Sequence, residues 1–313
     1  MQSPNNQQGI ALIIVLWVIL MLTVIASSIA FSTRSEINMT QNFRDTAVAI
    51  SIAEAAASRA VIELTRSVDQ RMWQFDGSIN EWEMHGAKIR ISIQDVAGLI
   101  DLNAGQEQLI RGILNRIKTE NNELKNQITD AILDWRDPDN LKHLNGAEDL
   151  DYEQNEYAYR SKDRSFDSLD ELKQIFGMTP EIYDQIESAF TIYSKQPGIN
   201  PIVAPKKVLI AVPGVDANLV NDYIELRKEA YQQRNPIPPE FQMNGSYLAS
   251  TSDMTYRIRI NLTLPSGTAL YRDAVVTRTE NPAQPFTIVS WKNGAVFPEK
   301  ENEVTEDEFE TKK

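Results

Sequence analysis

Residues 10–31 are uncharged and mostly apolar, and nothing later in the chain repeats that pattern. At about 1.5 Å per residue, a helix of that length crosses the roughly 30 Å hydrocarbon core of a bilayer. Beyond it, Ala49, Ile52, Ala53, Ala56, Ala60 and Leu64 recur at helical spacing, so the helix is expected to continue with one apolar stripe. The stripe is mostly alanine, which lets a partner surface approach closely. Residues 72–86, with Trp73 and Trp82 among polar neighbours, read as a loop.

The pattern then changes period. Residues 88–93 alternate apolar and polar strictly, which predicts a half-buried strand. The same alternation returns at Tyr256, Ile258, Ile260, Leu262 and Leu264, followed by a Pro265-Ser266-Gly267 turn signal. Residues 270–278 and 286–291 read as two more strands. The stretch between, residues 99–244, is mostly helical in pattern. The fold class is therefore α+β, a long helix packed on a small antiparallel sheet. A helical domain (99–244) interrupts the module formed by residues 32–98 and 245–297.

The interruption holds a weak repeat. Residues 172–186, turning at Gly177, match residues 209–224, turning at Gly214, and each has the form of helix, turn, helix. Glycine supplies the positive φ such a turn needs. These units resemble helix-hairpin-helix or SAM-like hairpins. Some such hairpins bind nucleic acid, but here Glu181, Asp184, Glu187, Asp216, Asp222 and Glu225 surround them. The net charge of the whole chain, −13, repels phosphate as well, so nucleic acid is not an expected partner.

Composition narrows the chemistry further. With no Cys and only His85 and His143, structural zinc is disfavoured and nucleophile–base pairs are few. No G-x-S-x-G motif lies near His143, and the expectation is that the protein is not an enzyme. Residues 134–156 concentrate eight carboxylates around Pro138 and Gly146, with Arg136 and Lys142 the basic residues. Ca²⁺ takes six to eight oxygens in flexible loops, so it suits this segment, although the order is not that of an EF-hand. A solvated acidic loop is the alternative. Residues 298–313 are acidic with little that is apolar and read as a disordered tail.

The leader, residues 1–9, ends at Gly9 directly before the apolar stretch. A secretory signal would place its cleavage site after that stretch. Cleavage at Gly9–Ile10 would leave the helix on the mature protein, which resembles the signal of type IV prepilins and type II secretion pseudopilins. In those a prepilin peptidase cuts after the glycine and methylates the new N-terminus. Two features depart from that signal. The leader has no Lys or Arg, and Ile14 stands where a glutamate is usual, fifth in the mature chain.

Several motifs then agree in order. Residues 95–104 (Asp-Val-Ala-Gly-Leu-Ile-Asp-Leu-Asn-Ala) follow the first strand. Next come Asp134-Trp135-Arg136-Asp137-Pro138-Asp139 and Gly146-Ala147-Glu148-Asp149, then Asp151-Tyr152. Phe166 to Leu172, Gly177-Met178-Thr179-Pro180, Ile199-Asn200 and Ala204 to Leu209 complete the series. Together they resemble the K-type minor pseudopilin family of type II secretion, from about residue 9 to 291; Ile202-Val203 is less polar than that family's pattern. The resemblance implies a pilin fold with a large inserted helical domain. It also implies a tip complex with the I-type and J-type minor pseudopilins that starts or caps the pseudopilus. The chain would be a single-pass protein of the Gram-negative inner membrane, its C-terminal domain in the periplasm. Calcium in the inserted domain is implied too, and clustering singles out Asp137, Asp139, Glu148, Asp149 and Asp151. A type IV minor pilin and a membrane-anchored enzyme are the competing readings.

Overall fold

The computed structural model describes residues 8–234, 240–242, 245–249 and 254–294. The first seven residues of the leader and the acidic tail lie outside them. Helix α1 (Gln8–Thr65) is a single run of 58 residues, about 87 Å long at 1.5 Å per residue. Its N-terminal half is exposed, from Leu12 at 72 % to Phe31 at 75 %. Among the described residues it is the one helix long and apolar enough to cross a membrane. The other half packs: Ala49, Ala53, Ala56 and Ala60 are wholly buried, with Ile52 and Leu64 beside them.

That stripe lies on a five-stranded antiparallel sheet of order β1-β2-β5-β6-β7. The strands are β1 (Asp76–Met84), β2 (Ala87–Asp95), β5 (Thr255–Thr263), β6 (Ala269–Arg278) and β7 (Phe286–Asn293). In the β2–β5 register Ile89 faces Leu262, Ile91 faces Ile260, and Ile93 faces Ile258. All six side chains are buried, and they form the floor on which the alanines of α1 sit.

Two sequence expectations are corrected here. Residues 72–86 are not simply a loop, because they contain the edge strand β1, which pairs along β2 and sets Trp82 opposite Ile89. The turn joining the two strands is His85–Gly86, both with positive φ (52° and 78°), the two-residue geometry that matches strand twist. An edge strand needs only one partner, so its polar composition is tolerated. The second correction concerns β2. It is half-buried only at its start, and from Ser92 to Asp95 both faces are covered.

The covering element is the insertion between β2 and β5. It holds α2 (Glu107–Leu114), α3 (Asn122–Arg136), α4 (Asp149–Gln154), α5 (Pro180–Ile186), α6 (Lys206–Ala211) and α7 (Ala217–Gln232). It is not wholly helical: β3 (Ile100–Asp101) and β4 (Phe190–Thr191) pair in parallel. It has its own core, including Leu109, Ile113, Ile128, Ile132, Tyr152 and Phe190. The two hairpins turn at Gly177 (φ 79°) and Gly214 (φ 78°) as expected. The first element of the first hairpin is a 3₁₀ turn, Leu169–Gln174.

Polar contacts fasten the insertion to the sheet. The Arg257 guanidinium lies between Glu187 and Asp273, and Arg259 reaches Glu187 at 3.0 Å. Arg227 on α7 donates to Asp76 on β1 at 2.8 Å. The Tyr231 hydroxyl donates to the Arg71 carbonyl at 3.0 Å, just past the end of α1.

Candidate metal centre

The last turns of α3 place two buried carboxylates, Asp130 and Asp134, beneath the acidic segment. Asp134 organises the loop above it. Its Oδ1 accepts from the His143 backbone N–H at 3.0 Å and lies 2.5 Å from His143 Nδ1, while Oδ2 accepts from the Ala147 N–H at 2.8 Å. Asp130 takes Arg111 at 2.7 Å and both nitrogens of Asn145. The chain passes so close to Asp134 that a Cβ on Gly146 would lie 1.7 Å from Oδ2. Glycine is therefore required there by space.

Over this base, further carboxylates converge with few donors. Both oxygens of Glu148, Oδ1 of Asp137, Asp149 and Asp163, and Oγ of Ser161 are buried without a hydrogen-bond partner among the described residues. The Glu148 carboxyl is pushed up to about 8, first by burial and then by Asp134, Asp163, Asp137 and Asp149. Burial, then the charges of Asp139 and Asp134, raise Asp137 as well, with His143 opposing. Buried carboxylates without donors are costly unless a cation or a proton joins them.

Of the five residues singled out in sequence, Asp137, Glu148 and Asp149 share this cluster. Asp139 is exposed and accepts from the Leu141 N–H at 2.8 Å. Asp151 is engaged by Lys142 at 2.6 Å and by the Glu148 N–H at 3.0 Å. Asp163 joins the cluster from outside the segment that the carboxylate count marked. The positive φ of Asp163 (49°) would have been a signal only with the backbone in hand. Asp134, Asp137 and His143 bring ligand atoms within 4.8 Å of one another. That triad is less open, because both oxygens of Asp134 already accept from the loop.

Comparison with known proteins follows the same outline. The sequence model of a family described as type II secretion system protein K matches residues 93–195, which run from the end of β2 to β4 and its exit. A type II secretion system protein K from Pseudomonas aeruginosa is 23 % identical over 277 residues, covering 81 % of this chain and 82 % of that protein. A putative type II secretion system protein K from Escherichia coli K12 is 24 % identical over 206 residues, 58 % of this chain and 61 % of that one. In fold, the chain is similar to one in the crystal structure of the GspK–GspI–GspJ complex of the enterotoxigenic E. coli type 2 secretion system. The TM-score is 0.56 at 14 % identity, covering 82 % of this chain and 99 % of the other.

Proposed function

We infer that this chain, a minor pseudopilin of the type II secretion system protein K family, sits at the tip of the pseudopilus and helps to initiate or cap its assembly. The observation that carries the reading is where the insertion lies. Helix α7 touches Arg71 and Asp76, just past the C-terminal end of α1. The insertion thus stands at the end of the pilin-like module farthest from the apolar stretch, where the next subunit of a shaft would have to pack. Ile14 adds a second asymmetry, since a subunit without a carboxylate there has nothing to offer the N-terminal amine of a neighbour.

The apolar helix serves as a single-pass anchor in the inner membrane, with the C-terminal domain in the periplasm and prepilin peptidase cutting between Gly9 and Ile10. Its partners are the I-type and J-type minor pseudopilins. The edge strand β7 offers a surface for association, with Ile288 60 % and Val289 49 % exposed, and such edges are commonly covered. Full-length protein co-expressed with both partners should purify as one defined hetero-oligomer whose mature N-terminus is Ile10. Pseudopili carrying this chain at every repeat would overturn the tip position.

Calcium belongs to the same reading. Asp137, Glu148, Asp149 and Asp163 fit an oxygen-coordinated dication, because their oxygens are the ones left without donors. A bound ion would replace the missing donors and neutralise the repulsion that raises Glu148. At 100 times its Kd, such an ion stabilises the folded state by about 2.7 kcal/mol. The melting temperature should therefore rise with calcium and fall with chelator. Identical melting in both rejects the site.

A further inference from the structure

A cleft of about 1060 Å³ separates the insertion from β6 and β7. It is larger than the roughly 300–1,000 Å³ of a small-molecule pocket and open enough for a peptide. Its charge opposes that of the molecule. Nine Lys and Arg residues line it against four Asp and Glu, in a chain of net charge −13. Some of this positive charge is already paired: Lys173 and Lys292 share Asp170 at 2.9 and 2.8 Å. Arg257 and Arg259 are held by Glu187 and Asp273, and the lining as a whole still carries an excess of cations. Among the described residues neither Arg116 nor Lys206 has a carboxylate partner, and the buried Nη1 of Arg257 on the cleft wall has no acceptor. Tyr183, Ile192 and Tyr193 add an apolar wall.

The described chain leaves from the rim of this cleft, because Asn293 and Gly294 line it. Four residues later the sequence becomes acidic. Residues 299–310 carry seven carboxylates, and Glu306-Asp307-Glu308-Phe309-Glu310 sets an aromatic ring among them. We propose that the cleft is a docking site for acidic peptide and that its occupant is this chain's own C-terminal segment, residues 299–310.

Three arguments select that occupant. The segment has the opposite charge and a ring suited to the apolar wall. The linker of residues 295–298 reaches about 15 Å when extended, so the acidic run begins at the cleft without strain. A short tether also holds the segment at an effective concentration in the millimolar range. That matters because solvent-exposed ion pairs are individually weak and are screened by salt. Without the tether such an interaction would be weak. With it, the segment docks, yet a stronger acidic ligand or high salt displaces it.

The test uses the full chain in detergent micelles. A carbodiimide that joins carboxylates to lysines should link Glu303–Glu310 to Lys173, Lys206 or Lys292. In a mixture of light and isotopically heavy protein, the links should form within one molecule. Their yield should fall as salt is raised to about 1 M, where the Debye length is roughly 3 Å. A labelled peptide of residues 299–313 should bind a chain ending at Pro298 at least about tenfold more tightly than the intact chain, whose cleft is filled. Arg116→Glu with Lys206→Glu should abolish both effects. If that variant does not fold, the same peptide with Gln replacing every Glu and Asp should fail to bind the truncated chain. Equal binding to intact and truncated chains, links only between molecules, no links at low salt, or full binding by the neutral peptide would each overturn the proposal.

Discussion

Arg227 is the side chain on which the joint between insertion and sheet most depends. It is 8 % exposed, and its guanidinium serves three acceptors: the carbonyls of Pro201 and Ala204 at 2.9 and 2.8 Å, and Asp76 Oδ2 at 2.8 Å. The other oxygen of Asp76 accepts from Ser78, so Oδ2 has Arg227 as its partner. Arg227→Met keeps much of the apolar stem and removes all three donors. It leaves a carboxylate that is only 9 % exposed without its cation, a loss worth about 3–5 kcal/mol for a buried pair. Asp76→Asn removes the charge but leaves Arg227 its two carbonyls, so it should cost less, about 1.5–3 kcal/mol. The two side chains touch, so the double variant should fall short of the sum by about 0.5–3 kcal/mol. Thermal unfolding of the detergent-solubilised chain, followed by near-ultraviolet circular dichroism, reads these differences at about 2–4 °C per kcal/mol. Arg227→Met should therefore lower Tm by roughly 6–20 °C. Arg227→Lys should recover only part of it, because an ammonium cannot present the same planar fork. A loss under about 2 °C for Arg227→Met, or strict additivity in the cycle, would refute the assignment of the joint to this pair.

Two further outcomes concern the acidic centre. Gly146→Ala forces its new methyl into Asp134 and should cost about 1–3 kcal/mol, lowering Tm and calcium response together; a neutral effect would show that the loop relaxes freely. The Glu148 carboxyl sits near 8, above its ordinary value of 4.5, so the folded state holds a proton that the unfolded chain has lost. In chelator, stability should then fall as pH rises from about 4.5 to 8, by a few kcal/mol. Glu148→Gln should flatten that slope, and an equal slope in the variant would move the cause elsewhere.

The long helix and four of the five sheet strands were legible from the sequence. An alanine stripe at helical spacing and isoleucines at every second position each admit one packing. Strand β1 was not legible, because its alternation is confined to Glu81-Trp82-Glu83-Met84 after a polar start at Asp76-Gly77-Ser78, and its strand state comes from pairing along β2. The acidic centre was half legible. Counting carboxylates marked residues 134–156, but the count does not distinguish those meeting donors from those meeting one another. Asp151 has Lys142 and a backbone N–H, whereas Glu148, three residues earlier, has neither for its carboxylate. That difference depends on which way the first turn of α4 points.

The position of the insertion explains how a pilin-like sheet tolerates so large an interruption. Its ends leave from Asp95 and return at Tyr256, which are register partners on adjacent antiparallel strands. The sheet therefore needs only a connection between neighbours, and its geometry does not depend on the length of that connection. For a flexible loop, each doubling of length costs only about 0.6 kcal/mol, and this loop has its own core to offset the cost. What the sheet does require is that the covered half of β2 and β5 stay satisfied. Gln94 meets that need by donating to the Val203 carbonyl at 2.8 Å, as do Arg257 and Arg259 by holding Glu187. The polar face of the sheet beneath the insertion has thus become a seam. Its charges fix the orientation of the insertion in a way that apolar contact alone would not. Because the seam is polar, weakening it should release the insertion while both cores stay folded.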